Sequence, residues 1–364
     1  MPELSESLAR WSELLMYLAA ITYMVAFVAF TWDVAAHSRI TRRLEGQQQE
    51  ESQEAEELAL ATQPLQARSA RLAANEQGSG QRGMAYRKEA SQKISTYVAD
   101  SQMRYGEGAR RPAARAAVAL LALGCLIHAG GVISRGLAAH RVPWGNMYEF
   151  CTTGAFLVTL VYLIFLIFRD LRFVGTLVSG LALLMMTAAT MGFATPVGHL
   201  KPALQSYWLV IHVSIAVLAS AVFTITFALA VLQLVQTSRE KQILANRQTR
   251  LTNLGFMRLI PSSTALENFS FRLNAVGFVM WTFTLGAGAI WAEKAWGRYW
   301  GWDTKEIWTF IIWVIYAAYL HARATQGWSG PRSAWLSIIG YLCLIFNFTI
   351  VNMYFSGLHS YSGL

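Results

Sequence analysis

Residues 273–322 read LNAVGFVMWTFTLGAGAIWAEKAWGRYWGWDTKEIWTFIIWVIYAAYLHA. Two apolar segments, 273–293 and 305–322, close on a short charged stretch that is dense in aromatic rings. Six tryptophans fall in the 23 residues from 291 to 313, with the core Trp296-Gly297-Arg298-Tyr299-Trp300-Gly301-Trp302-Asp303. Each flank approaches the roughly 20 residues a helix needs to cross about 30 Å of hydrocarbon at 1.5 Å per residue. The stretch therefore predicts two membrane-spanning helices joined by a tryptophan-rich turn at the membrane surface.

Outward from that pair, six further segments have the same character: 11–32, 114–138, 145–168, 173–193, 208–236 and 333–356. The chain is 54% hydrophobic and only 14% charged, a balance of polytopic membrane proteins rather than soluble ones. Alternating short strands are absent, which argues against a barrel. The expectation is an all-α, multi-pass bundle of about eight transmembrane helices. Three regions follow: an N-terminal helix over 1–32, a hydrophilic insertion over 33–113, and a seven-helix membrane domain over 114–364. The insertion is Gln-, Glu- and Ala-rich in its first half and basic around Gly78-Ser79-Gly80 in its second, too polar for a core of its own. It is expected to be partly helical, largely disordered and cytoplasmic.

Basic residues set the orientation. With the N-terminus outside, the inner segments 33–115, 169–172, 237–272 and 322–332 carry 13, 2, 6 and 2 Lys or Arg, which is 23 of the 30. Both termini are thus expected outside the cytoplasm, in the cell membrane. Contact with anionic lipid accounts for the net charge of +9, and no nucleic acid is needed to explain it. The first segment has acidic residues where a signal peptide has basic ones, so it reads as a retained helix. Cys125, Cys151 and Cys343 each lie within an apolar segment without CxxC spacing and read as packing residues.

In this topology His212, at the start of the fifth helix, and His359, just past the eighth, emerge on the same side as the tryptophan run. Flat aromatic faces with two neutral imidazoles suit a haem, whose iron accepts histidine at both axial positions. Trp296, Gly297, Trp300, Gly301, Trp302 and Asp303 complete the candidate binding set, the glycines removing bulk and Asp303 placed to cap the seventh helix. Lys294, Arg298 and Lys305 are available to pair with propionates or to act as interfacial anchors. An interfacial aromatic belt remains the alternative reading of the tryptophans. His321 follows Asp303 by 18 residues, about 27 Å along a straight helix, so it belongs to the opposite face. It is either a boundary histidine or a ligand at an inner haem station. His128 reads as a core histidine, His37 as a helix-end residue, and His140 and His199 as solvated loop residues.

The run ending Trp300-Gly301-Trp302-Asp303, followed by Lys305-Glu306, resembles the "WWD" signature of haem-handling membrane proteins. LQSYWLVIH at 204–212, YLHAR at 319–323, GLHSYS at 357–362 and PWGNMYE at 143–149 narrow the resemblance to the CcsA/ResC-type family of system II cytochrome c biogenesis. It covers roughly 115–364. Thr304 stands where the family pattern has proline. The resemblance implies that haem b crosses from the cytoplasm, by way of His321 and a partner histidine. It is then held outside by His212 and His359 for thioether attachment to the CxxCH of apocytochrome c. The whole would act as a holocytochrome c synthase together with a separate ResB-type partner; no catalytic acid or base is assigned. A haem transporter without attachment activity, or an assembly scaffold, remains an alternative.

Overall fold

The computed structural model describes residues 2–61, 111–198, 205–245 and 247–359, apart from 248, 250, 253, 326 and 356. Among them there is no strand. Eight helices follow one another: α1 Pro2–Ala61, α2 Pro112–Ala139, α3 Met147–Phe168, α4 Gly175–Thr187, α5 Tyr207–Leu244, α6 Ser263–Trp296, α7 Thr304–Thr325 and α8 Pro331–Phe346. A 3-10 turn at Arg172–Val174 and a π turn at Ala188–Gly192 lengthen α4, and a π turn at Asn347–Val351 continues α8 to Tyr354. Eight described stretches, from Leu4–Ala36 to Pro331–Tyr354, are long and apolar enough to cross a membrane. The protein is an all-helical, multi-pass membrane protein.

Local sequence sets where the helices begin and end. Pro112 and Pro331 occupy first-turn positions, where a missing N–H costs nothing. Asn146 caps α3 by accepting the Glu149 N–H at 2.9 Å, and Ser262 caps α6 by accepting that of Ala265. α6 stops at Gly297, whose φ of +70° suits glycine and whose N–H donates to Glu293 O at 2.8 Å. Hydropathy sees only the apolar part of a helix, so α1 and α5 outrun the predicted spans as polar extensions to Ala61 and Leu244. The first part of the expected insertion is therefore helix; residues 62–110, with Gly78-Ser79-Gly80, lie outside the described residues.

α5 is the centre of the bundle: 78% of its most apolar window is buried, against 17% for α7. On one side it meets α3, behind which α4, α1 and α2 pack. α1 lies close along α2, where Ser12 Oγ donates to Gly131 O at 2.8 Å and a Cβ on Gly124 would strike the Tyr23 ring. On its other side α5 meets α6 and α8, with α7 beyond them. There Phe223 stacks on Tyr316 at 3.9 Å, and Trp281 Nε1 donates to Thr309 O.

Buried ions tie the chain at both ends. Glu149, fully buried, accepts from Arg135 Nε at 3.1 Å, from Arg141 Nη1 at 2.6 Å and from Gly145 N at 2.7 Å. At the opposite end Glu267 accepts from Arg323 and from Gly330 N. Helix alternation puts the Arg135–Glu149–Arg141 group at the same end as the tryptophan run.

Candidate functional site: an aromatic cleft with two histidines

At that end the start of α5, the end of α6, the start of α7 and the π turn after α8 enclose a cleft. Its empty volume, counted to the open mouth, is about 1030 Å³. His212, His359, Trp291 and Trp300 line the cleft, together with Phe150 and Phe348, which stack on each other at 4.3 Å.

The two histidines come from sequence positions 147 apart and meet around one ring. Trp291, 1% exposed, stacks on His212 at 5.9 Å and 14°, and meets His359 edge-on at 5.5 Å. Trp296 packs edge-on against both Trp291 and His359, at 4.7 and 4.8 Å. Each imidazole is also held by its Nδ1. His212 Nδ1 lies 2.9 Å from the carbonyl of Thr284, an acceptor only, so Nδ1 carries the proton. His359 Nδ1 lies 3.3 Å from Asp303 Oδ2. A neutral imidazole that donates through Nδ1 keeps its lone pair on Nε2, the form that ligates a metal. Gly288 makes room for this arrangement: a Cβ there would lie 2.7 Å from His212 Cε1.

Asp303 joins the tryptophan turn to the tail. Oδ1 accepts from Lys305 N at 3.0 Å, capping α7, while Glu306 Oε2 accepts from Asp303 N at 3.1 Å and from Gly301 N at 2.8 Å. This is a reciprocal capping box. Oδ2 accepts from Leu358 N at 2.7 Å and faces the His359 ring. Hydrogen bonding from His359 holds the Asp303 carboxyl well below the usual carboxylate range, so it stays ionised at neutral pH. Gly357 permits the contact, since a Cβ there would come 2.7 Å from Oδ2.

The residues anticipated from sequence thus divide. His212, His359 and Trp300 line the cleft, and Trp296 backs it against His359. Asp303 stands behind His359, and Gly297 and Gly301 shape the turn. Trp302 points away: it is 72% exposed and touches Trp300 edge-on. It also has a φ of +57°, which is uncommon for a bulky residue. His321 is exposed, near the far end of α7, and is not part of the cleft. His128 is a core residue with a partner, Tyr23 OH at 3.2 Å from its Nδ1. His199 and the last residues of GLHSYS lie outside the described residues. Sequence reasoning did not single out Trp291 or Thr284. Trp291 opens the tryptophan run, but only the tertiary structure turns it between the histidines.

A helical membrane bundle that gathers two imidazoles, each held at Nδ1, in an aromatic cleft at one end defines the class. The comparisons make the class specific. Residues 144–359, more than half of the chain, match the Cytochrome C assembly protein family, and the chain belongs to that family. It is similar to the cytochrome c biogenesis protein CcsA of Guillardia theta, 35% identical over 246 residues that cover 64% of this chain and 80% of that protein. CcsA of Prochlorococcus marinus is 35% identical over 265 residues, covering 66% and 82%. CcsA of Solanum tuberosum is 31% identical, covering 64% and 80%. Among solved structures, the cytochrome c haem lyase CcmF aligns with a TM-score of 0.48 and 16% identity, over 73% of this chain and 45% of that one.

Proposed function

We propose that this cytochrome c assembly protein carries haem b as its substrate, holds it at the extracytoplasmic face of the cell membrane, and presents it to apocytochrome c for covalent attachment. The observation that carries the reading is the pair of imidazoles around Trp291, each tied at Nδ1 and so offering Nε2 to an iron. The cleft suits a haem in chemistry: aromatic faces for the macrocycle, two nitrogen ligands for the metal.

In the proposed reaction the thiols of a CxxCH segment add across the two haem vinyl groups. Each S–H is consumed, one C–S bond forms, and the proton ends on the neighbouring carbon, so no oxidant is required. The protein contributes position: the ring is held while the thiols are brought alongside, and orientation of this kind lowers a barrier by several kcal/mol. One axial histidine must yield to the histidine of CxxCH. His359 is suited to that role because it lies beyond the last helix and is held through Asp303, whereas His212 is built into α5. A separate ResB-type membrane partner and delivery from the cytoplasmic side by way of His321 complete the proposal.

The test is the visible spectrum of the detergent-purified protein, co-expressed with its ResB-type partner, before and after dithionite. Low-spin haem with split α and β bands is expected. His212→Ala or His359→Ala should lose it, and added imidazole should restore it by filling the vacant position. Unchanged haem in both variants would sink the assignment. Reconstitution with purified apocytochrome then separates attachment from haem carriage alone.

A further inference from the structure

The cleft is not aromatic all round. In one corner Lys305 reaches in from the first turn of α7, and its Nζ donates to Asn352 Oδ1 at 2.7 Å. The ammonium stands 5.7 Å from the centre of the Phe348 ring. Asn352, 6% exposed, directs its amide nitrogen to the sulfur of Met147 at 2.8 Å, a weak acceptor. Asn347, 1% exposed, donates to Thr309 Oγ1, and its own Oδ1 has no hydrogen-bond partner. Both asparagines come from the π turn that continues α8 and from the residue that follows it. Single π turns of this kind concentrate at functional sites.

Among the described residues no carboxylate pairs with Lys305 Nζ. Asp303, the acidic group that acts on it electrostatically, commits its oxygens to Lys305 N, Leu358 N and the His359 ring. Glu306 directs Oε2 to the backbone of the tryptophan turn. An ammonium with three donors and one neutral acceptor, in a cleft lined by rings, is poorly satisfied until an anion arrives. The other basic residues of the run do not share this setting. Lys294 is 59% exposed and pairs with Glu293, and Arg298 is exposed with its guanidinium against Gly301.

We propose that Lys305, steadied by Asn352, is a carboxylate subsite that takes a propionate of the haem. The inference rests on the haem reading above and adds which edge of the ring enters this corner. Because the vinyl groups lie on the opposite edge, the subsite decides which edge is left for the thiols of an incoming chain.

The experiment compares ferric protoporphyrin IX with its dimethyl ester, which has the same ring and vinyls but no carboxylate. Full-length protein, purified in detergent and stripped of haem, is titrated with each and followed at the Soret band. The wild type should prefer the free acid at least tenfold. Lys305→Met should bind the ester as the wild type does and lose the preference, while Lys294→Met and Arg298→Met keep it. Equal affinity of the wild type for acid and ester, with a low-spin spectrum for both, overturns the subsite and leaves the haem reading standing. A wild type that gives no low-spin spectrum with either compound removes the haem reading and the subsite with it. A Lys305→Met protein that still prefers the acid also overturns the proposal, and its ester affinity reports that the cleft has folded.

Discussion

Asp303 does two jobs with two oxygens, and substitution can separate them. Asparagine is as good an N-cap as aspartate, so Asp303→Asn should keep the bond from Lys305 N and leave the folded α7 intact. It replaces the anionic acceptor that faces His359, which lies 3.3 Å away. Losing a partner of this kind costs about 10–100-fold in metal affinity. The expected outcome is a weaker haem titration at unchanged thermal stability; unchanged affinity would show that the pairing is incidental. Trp302 makes the complementary case. Its left-handed backbone costs about 1–2 kcal/mol for a residue with a side chain, yet its ring is 72% exposed and does not line the cleft. An exposed ring kept in an unfavourable conformation implies use by something outside the cleft. Trp302→Gly should leave the haem spectrum in place, with stability changed by no more than about 1 kcal/mol as relief of strain offsets glycine's entropy. Yields of mature cytochrome c should fall. Loss of the spectrum would instead put Trp302 in the haem site.

At the level of elements, the helices surrounding the cleft are fixed by a few close contacts. Gly288 lies inside α6, where alanine would ordinarily stabilise a helix by roughly 0.5–1 kcal/mol. Here the added methyl meets His212 at 2.7 Å. Gly288→Ala is therefore expected to hold or raise the melting temperature while displacing the histidine from Thr284, seen as loss of the low-spin spectrum. Retention of that spectrum would mean His212 has slack that the packing does not suggest. Across the cleft, Glu149 secures the start of α3, whose Asn146 and Met147 form part of the wall. Removing one partner of a buried ion group costs about 3–5 kcal/mol, and Glu149→Gln leaves two guanidinium groups around a neutral amide. Denaturation should report a loss of that order; a loss below about 1 kcal/mol would show that water or Thr195 O suffices for the arginines. These elements were legible in the sequence to different degrees. Apolar length gave all eight spans, because burial in lipid imposes it on every helix alike. The capping of α7 by Asp303 was legible too, since it depends on neighbours in the chain. The Lys305–Asn352 bond spans 47 residues, and the inward turn of Trp291 against the outward turn of Trp302 depends on how α6 and α7 meet. No local pattern carries such information.

For the molecule as a whole, an even number of helices places His212, His359 and the tryptophan turn at one end and His321 at the other. The separation of about 27 Å along α7 means that one haem cannot bridge the two stations. The exposed setting of His321, with Arg323 two residues on and paired to Glu267, keeps it apart from the cleft's packing. If haem enters near His321 and leaves by the cleft, His321→Ala acts on how much haem arrives and leaves unaltered how it is held. The variant should show a smaller Soret band per protein, with the same band positions, the same reduced α and β splitting and the same imidazole response as the wild type. Supplying haem directly to the purified variant should restore full occupancy, because the cleft itself is intact. His212→Ala should fail that rescue unless imidazole is added, which distinguishes a delivery defect from a ligand defect. A shift in band positions in His321→Ala would show the two ends to be coupled through α7. Normal loading would make His321 an ordinary boundary residue and move the entry route elsewhere, with the cleft unaffected.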